Sequence, residues 1–236
     1  IKSFKDLNYY LGFKNDNKLI VIFSHCYPDF PNIYGKTWYY DYYIWLEEII
    51  KISNDFKNYN FLIKPHPAEK NYNCSTIDLF GDKKLGLNIK ILNKKSPDKK
   101  ILKYSSLCIT AAGSAFFEYI SFGKKAITSN LHHSSDFFSE LTYSSFKDLK
   151  NKINKMHEIK IKNSQKRKAN IILSAFYSSP KNYLELPLAW NDYEATKLLP
   201  KFIEKYSTKF EREYSFIEKF ADSKFNKYRV YQSQNL

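Results

Sequence analysis

The residues best equipped for chemistry sit in one short stretch, Lys64-Pro65-His66-Pro67. A nucleotide phosphate needs donors aimed at its oxygens, and an ammonium and an imidazole N–H both supply charge-assisted bonds. Each proline restricts its own backbone and that of the residue before it, so the His66 ring is carried on a stiff support. The apolar run Phe61-Leu62-Ile63 leads directly into this stretch and reads as a buried strand running out into a loop. In open α/β sheets, ligands bind at the carboxyl ends of the strands. The plainer alternative is a strand-ending turn with a structural histidine.

A second stretch, Thr110 to Glu118, has the sequence TAAGSAFFE. Small residues after a strand let a ligand approach the backbone, and a helix starting at Ser114 would offer amides and a positive dipole end to a phosphate. Glu118 lies one turn along the same face and could accept the hydroxyls of a ribose. The competing reading makes Ser114 a simple N-cap and Glu118 a solvated helix residue. A third group, Ser24, His25 and Asp29, follows the first apolar run and should face the same crevice. His25 could bind a phosphate or a donor carboxylate, and Asp29 could orient it or hold an acceptor hydroxyl. These two are the catalytic candidates, with an ordinary Pro-bounded loop as the alternative. The nucleotide-binding candidates are Ser24, Lys64, His66, Pro67, Gly113, Ser114 and Glu118. His132, His133 and Asp136 match no standard zinc spacing, so no metal or other cofactor is expected.

The elements that must position these residues follow from periodicity. Lys18–Phe23 (KLIVIF) is an apolar, β-branched run expected to be a buried strand. Trp38 to Ile52 carries apolar residues at helical spacing. Strands are expected at 61–64, 88–92, 107–110 and 125–128. Helices are expected near the start of the chain, in 68–87, at 97–104 (Ser96 as N-cap, Pro97 first) and at 114–122, ended by Gly123. Strict alternation of strand and helix predicts an α/β, Rossmann-like parallel sheet with flanking helices. Beyond Asn130 the pattern turns helical, at 145–156, 160–175, about 192–206 and 209–220. The expected division is a nucleotide-binding domain over 1–180 and a helical C-terminal extension over 181–236, packed on that domain or on a preceding one.

Hydrophobic content of 43% in 236 residues can supply a sizeable core. The abundance of Lys, Asn, Ile and Tyr reads as an AT-rich coding bias. The formal net charge is +14, densest over 160–168. That suits phosphorylated substrates or an anionic membrane surface, and no RNA-binding signature accompanies it, so nucleic acid is not expected as a partner. Cys26, Cys74 and Cys108 form no CxxC pair, which argues against a zinc site and a disulfide framework and favours a reducing compartment. No run approaches the roughly 18 apolar residues of a membrane span, and no signal peptide is read. The chain opens on Ile1, so it is expected to be part of a longer protein.

Over about residues 18–130 the sequence resembles the C-terminal half of GT-B glycosyltransferases of bacterial capsule and lipopolysaccharide synthesis, including CMP-Kdo-dependent transferases. The resemblance is carried by KPHP at a strand end, the Gly113-Ser114 turn, Glu118 in the next helix and Gly123 after it. Asp41 to Leu46 also resembles the helix after the first strand in such proteins, and bacterial GT-B sialyltransferases have a similar His-Pro and Ser pair around CMP. The resemblance implies phosphate and ribose contacts for His66, Pro67 and Ser114, and ribose contact for Glu118. It implies a CMP-activated donor such as Kdo, a glycan or lipid-linked glycan acceptor, and a cytoplasmic protein peripheral on the inner face of the cytoplasmic membrane. It also implies that the catalytic base lies on an N-terminal part. Two other readings compete: transfer of a CDP-linked polyol phosphate or other phospho-group, and a non-catalytic nucleotide- or glycan-binding module.

Overall fold

The structure, a computed structural model, describes residues 1–29, 38–81, 85–130 and 137–177. The chain divides into two units, Ile1–Tyr177 and Ser178–Leu236. The helical extension expected over 181–236 and the loop carrying His132, His133 and Asp136 lie outside the described residues.

Six strands form one parallel sheet: β1 (Lys18–Phe23), β2 (Tyr59–Lys64), β3 (Ile89–Ile91), β4 (Leu107–Thr110), β5 (Ala126–Ser129) and β6 (Thr142–Tyr143). Their order is β3-β2-β1-β4-β5-β6. The chain walks outward from β1 through β2 to β3, then returns to the other side of β1 with β4. The reversal opens a crevice at the carboxyl ends of β1 and β4, the topological switch point of such a sheet. The fold is therefore the expected Rossmann-like α/β arrangement. β6 has no counterpart in the sequence reading, because two residues carry no periodicity.

Successive residues of a strand face opposite sides, so a run buried on both sides must be apolar throughout. β1 does this in four consecutive residues. Ile20 and Ile22 pack with Trp45, Leu46 and Ile49 of helix α2 (Tyr42–Asp55) on one face. Leu19 and Val21 pack with Leu7 and Leu11, in and just after helix α1 (Phe4–Tyr10), on the other. Helix α6 (Phe146–Asn154) joins the first face through Leu149 and Ile153. Helices α5 (Ala115–Ser121) and α7 (Asn163–Tyr177) cover Cys108 and Ala126 through Phe116, Ile120, Ala169 and Ile172.

Local chemistry sets the helix starts. In α1, Ser3 and Asp6 form a reciprocal capping box. The second helix begins at Tyr42, later than the expected Trp38, because the Asp41 carboxylate accepts the Ile44 amide at 2.7 Å and caps it. Helix α3 (Thr76–Phe80) is capped by Ser75. Helix α4 (Asp98–Tyr104) differs from expectation: Pro97 occupies the cap position with no side-chain cap bond, and the Ser96 hydroxyl donates to the Asp98 carboxylate instead. Gly123 follows α5 at φ +70°, a left-handed turn that glycine adopts without strain.

Candidate functional site

Three strand ends lie side by side at the crevice: β2 leading into Lys64-Pro65-His66-Pro67, β1 into Ser24-His25-Cys26, and β4 into Ala111 to Ser114. β2 and β4 are separated by two strand spacings, about 10 Å. The sequence reading placed its candidates on these ends, and the sheet brings them to one edge. What each side chain does there differs from expectation in several places.

His25 is buried, at 9% exposure. Its ring stacks on Tyr42 with centroids 4.3 Å apart and meets Trp45 edge-on at 5.7 Å. The amides of Ala111 and Ala112 both donate to its Nε2 at 3.2 Å, and the Thr110 hydroxyl lies 3.0 Å from the same atom. An imidazole nitrogen that accepts from amides carries no proton, so the neutral ring holds its proton on Nδ1. Burial, with the nearby His66 adding to it, pushes the pKa of His25 down to about 3. The expected phosphate or carboxylate ligand therefore does not fit His25: the ring is uncharged at neutral pH and its Nε2 already ties β1 to the β4–α5 turn. Asp29 ends the short turn Tyr27–Asp29, and its side chain lies outside the described residues.

The same contacts revise the expectation for the small-residue turn. Ala111 and Ala112 point their amides inward to His25, and Gly113 donates its amide to the Thr110 hydroxyl at 3.1 Å. Gly113 is required here by close approach: a Cβ at this position would lie 2.9 Å from Thr110 Oγ1 and 3.6 Å from His25 Cε1. Its role is to let the turn pack onto His25. Ser114 is exposed and Glu118 half-buried, and the Ser114 hydroxyl donates to Glu118 Oε1 at 3.3 Å. Ser114 thus does not cap α5 through its side chain, and it forms one polar unit with Glu118 at the β4 end of the crevice.

On the β2 side, His66 and Lys64 are both half-buried and Pro67 is exposed. His66 Nδ1 accepts the Ala68 amide at 3.2 Å, and Cys26 Sγ lies 3.0 Å from the same nitrogen. In the neutral ring this puts the proton on Nε2. Lys64 pairs with Asp98 at 2.7 Å, with its ammonium 5.1 Å from the centre of the Phe23 ring. Its charge is thus shared with a carboxylate 64% exposed on its side chain. Burial acts to raise the pKa of Asp98, and the Lys64 and Ser96 bonds outweigh it, so the carboxyl sits below its ordinary value.

Ser24, expected at the nucleotide, is only 3% exposed and belongs to the frame behind it. Its hydroxyl oxygen accepts the His66 amide at 3.0 Å and stands 3.1 Å from Glu69 Oε1. Glu69 is the residue that sequence reasoning missed. Its carboxylate, 6% exposed, gathers the His66 amide, the Thr76 amide and the hydroxyls of Ser24 and Thr76. One signal was available: Glu69 follows His66 by three residues, the spacing of a capping box.

Among the described residues Cys26, Cys74 and Cys108 form no disulfide. Among the described residues no group of three or more His, Cys, Asp or Glu could hold a metal ion, and no helix is long and apolar enough to cross a membrane.

No family model matches the chain, and no curated protein matches it in sequence. Among solved structures it is similar to a UDP-GlcNAc 2-epimerase from Neisseria meningitidis bound to UDP-GlcNAc, at 15% identity and TM-score 0.46, over 73% of this chain and 47% of that one. It is likewise similar to a glycosyltransferase from Rickettsia africae, at 15% identity and TM-score 0.48, over 70% of this chain and 46% of that one. A third is the wall teichoic acid polymerase TagF, at 15% identity and TM-score 0.43, over 74% of this chain and 42% of that one. The chain spans less than half the length of each. At such identities and TM-scores these likenesses decide neither donor nor reaction. What stands by its own geometry is a Rossmann-like parallel sheet with polar groups from three adjacent strand ends at its switch point.

Proposed function

We propose that this chain is the donor-nucleotide-binding half of a glycosyltransferase of bacterial surface-polysaccharide synthesis, taking a cytidine-activated sugar such as CMP-Kdo. The observation that carries the reading is His66. Its ring is set at the carboxyl end of β2, with Nδ1 occupied by the Ala68 amide and Nε2–H as the donor. A neutral N–H held on a stiff Pro-flanked support suits a phosphate that leaves as an anion, because donors that are already oriented need no reorganisation as charge develops. Across the β1 end, about two strand spacings away, Ser114 and Glu118 supply a hydroxyl and a carboxylate, and on this reading Glu118 takes the ribose hydroxyls. Lys64 adds positive charge at the phosphate end when its exposed partner Asp98 gives way. The acceptor, a glycan or lipid-linked glycan, and the group that deprotonates it are assigned to residues outside the described ones. The net charge of +14 supports work beside an anionic membrane surface at the cytoplasmic face.

Calorimetric titration of the protein with CMP, CDP, UDP and GDP tests this reading. A cytidine nucleotide should bind with micromolar Kd, and His66→Ala and Glu118→Ala should each weaken it at least about tenfold, the loss of one good charge-assisted contact. Binding of every nucleotide no tighter than millimolar would sink it. A product assay with a CMP-sugar against a CDP-polyol then separates sugar transfer from phospho-group transfer.

A further inference from the structure

One heavily bonded polar group on this edge of the sheet touches no ligand in the reading above. Glu69 Oε1 lies 3.1 Å from the Ser24 hydroxyl and accepts the His66 amide at 3.1 Å, with the Thr76 hydroxyl donating to the same oxygen. Its Oε2 accepts the Thr76 amide at 2.8 Å. Only donors converge on this carboxylate, the pattern of an ionised, accept-only group. A buried charge is costly unless it is satisfied in this way. Thr76 is fully buried, and its hydroxyl oxygen also lies 2.9 Å from the Tyr27 hydroxyl and 3.2 Å from the Ser24 hydroxyl. One carboxylate thus locks together the end of β1, the end of β2 and the start of α3.

The turn His66–Glu69 has the logic of a capping box with a histidine as the cap. The Glu69 amide donates to the His66 carbonyl at 3.1 Å, the Glu69 side chain reaches back to the His66 amide, and the His66 ring accepts the Ala68 amide. A ring can accept that amide only while Nδ1 is unprotonated. Cys26 Sγ lies 3.0 Å from the same nitrogen. The backbone fold of the turn and the proton position on the ring are therefore coupled.

We propose that Glu69 is a positioning residue that selects the Nε2–H tautomer of His66, by holding the 66–69 turn against Ser24 and Thr76. The inference rests on the nucleotide-site reading for its purpose, while the tautomer itself is open to measurement without any nucleotide. Glu69→Gln keeps the shape and replaces one acceptor oxygen with an NH2 that faces donors, so the turn should loosen.

The test is 15N NMR of the His66 ring in the full chain at pH 7.5, alongside calorimetry with CMP. In the unmodified protein the ring should read as Nε2–H with an unprotonated Nδ1. Glu69→Gln should give a mixture of tautomers and a CMP Kd raised at least tenfold, and Thr76→Ser, which keeps both donors, should behave as the parent. Should Glu69→Gln fail to fold, Thr76→Val, which removes the hydroxyl, should shift the tautomer in the same direction. An unchanged His66 tautomer in the folded Glu69→Gln or Thr76→Val protein overturns the proposal, even where CMP binds. If no nucleotide binds the parent while the tautomer still shifts in Glu69→Gln, the positioning role stands and the nucleotide reading falls.

Discussion

His25 and His66 stand one strand apart, at the ends of β1 and β2, and both follow an apolar run that ends abruptly. The fold puts them to opposite uses. His25 lies under the crevice floor, sandwiched by Tyr42 and Trp45, with its Nε2 taken by two amides of the β4–α5 turn. His66 is half-buried as a residue, and the bonds to its Nδ1 put the ring proton on Nε2. The nitrogen each ring uses to accept is the reverse of the other's, so the two carry their protons on different atoms. Neighbouring histidines at a switch point are therefore not interchangeable ligands: one organises the backbone that the other faces.

Substitution separates the two most sharply. His25→Ala removes a buried aromatic ring and orphans the Ala111 and Ala112 amides, so it should cost about 3–5 kcal/mol in urea unfolding at pH 7. His66→Ala should cost about 1 kcal/mol or less in the same experiment, while losing nucleotide affinity. Equal destabilisation by the two would erase the distinction.

Acid sharpens the contrast next. The unfolded His25 ring takes a proton near 6.5, and the folded ring does not until about 3. Between those values the unfolded state binds the extra proton, so this residue makes stability fall as pH drops, by up to about 1.4 kcal/mol per pH unit. Urea midpoints followed from pH 6.5 to 5 should show the slope in the parent and lose it in His25→Gln. A slope that persists in His25→Gln would place the titrating group elsewhere.

The smallest expected effect concerns Lys64. Asp98 is mostly exposed, so Asp98→Asn should shift stability by no more than about 0.5 kcal/mol. It should nevertheless tighten nucleotide binding severalfold at low salt, by releasing Lys64 beside His66, and the gain should shrink as salt is raised. Weaker binding in this variant would make Asp98 itself part of the ligand's seat.

Much of the fold was legible because the relevant signals are local. KLIVIF and LCIT are continuous apolar runs, and β1 and β4 occupy those residues. The start of α2 was misread because aromatic residues at 38–40 continue the helical spacing upstream of Asp41, and the cap bond ends it. β6 pairs with β5 through two residues and owes its existence to that neighbour. At the site, the clustering of Ser24, His25, Lys64, His66 and Ser114 on one edge was readable from strand ends. Their division into frame and ligand groups was not, since it depends on contacts such as Ser24 with Glu69, 45 positions apart.

By itself the sequence determined the alternation of strands and helices, the parallel sheet it implies and the stiff KPHP turn, because apolar periodicity and proline geometry act within a few residues. Only the tertiary structure decided which histidine is neutral and buried, which nitrogen of each ring carries the proton, that the amides of Ala111 to Gly113 turn inward, and that Glu69 holds the site's frame. Burial and hydrogen-bond partners set a group's charge and direction, and those partners come from strands and turns far apart in the chain.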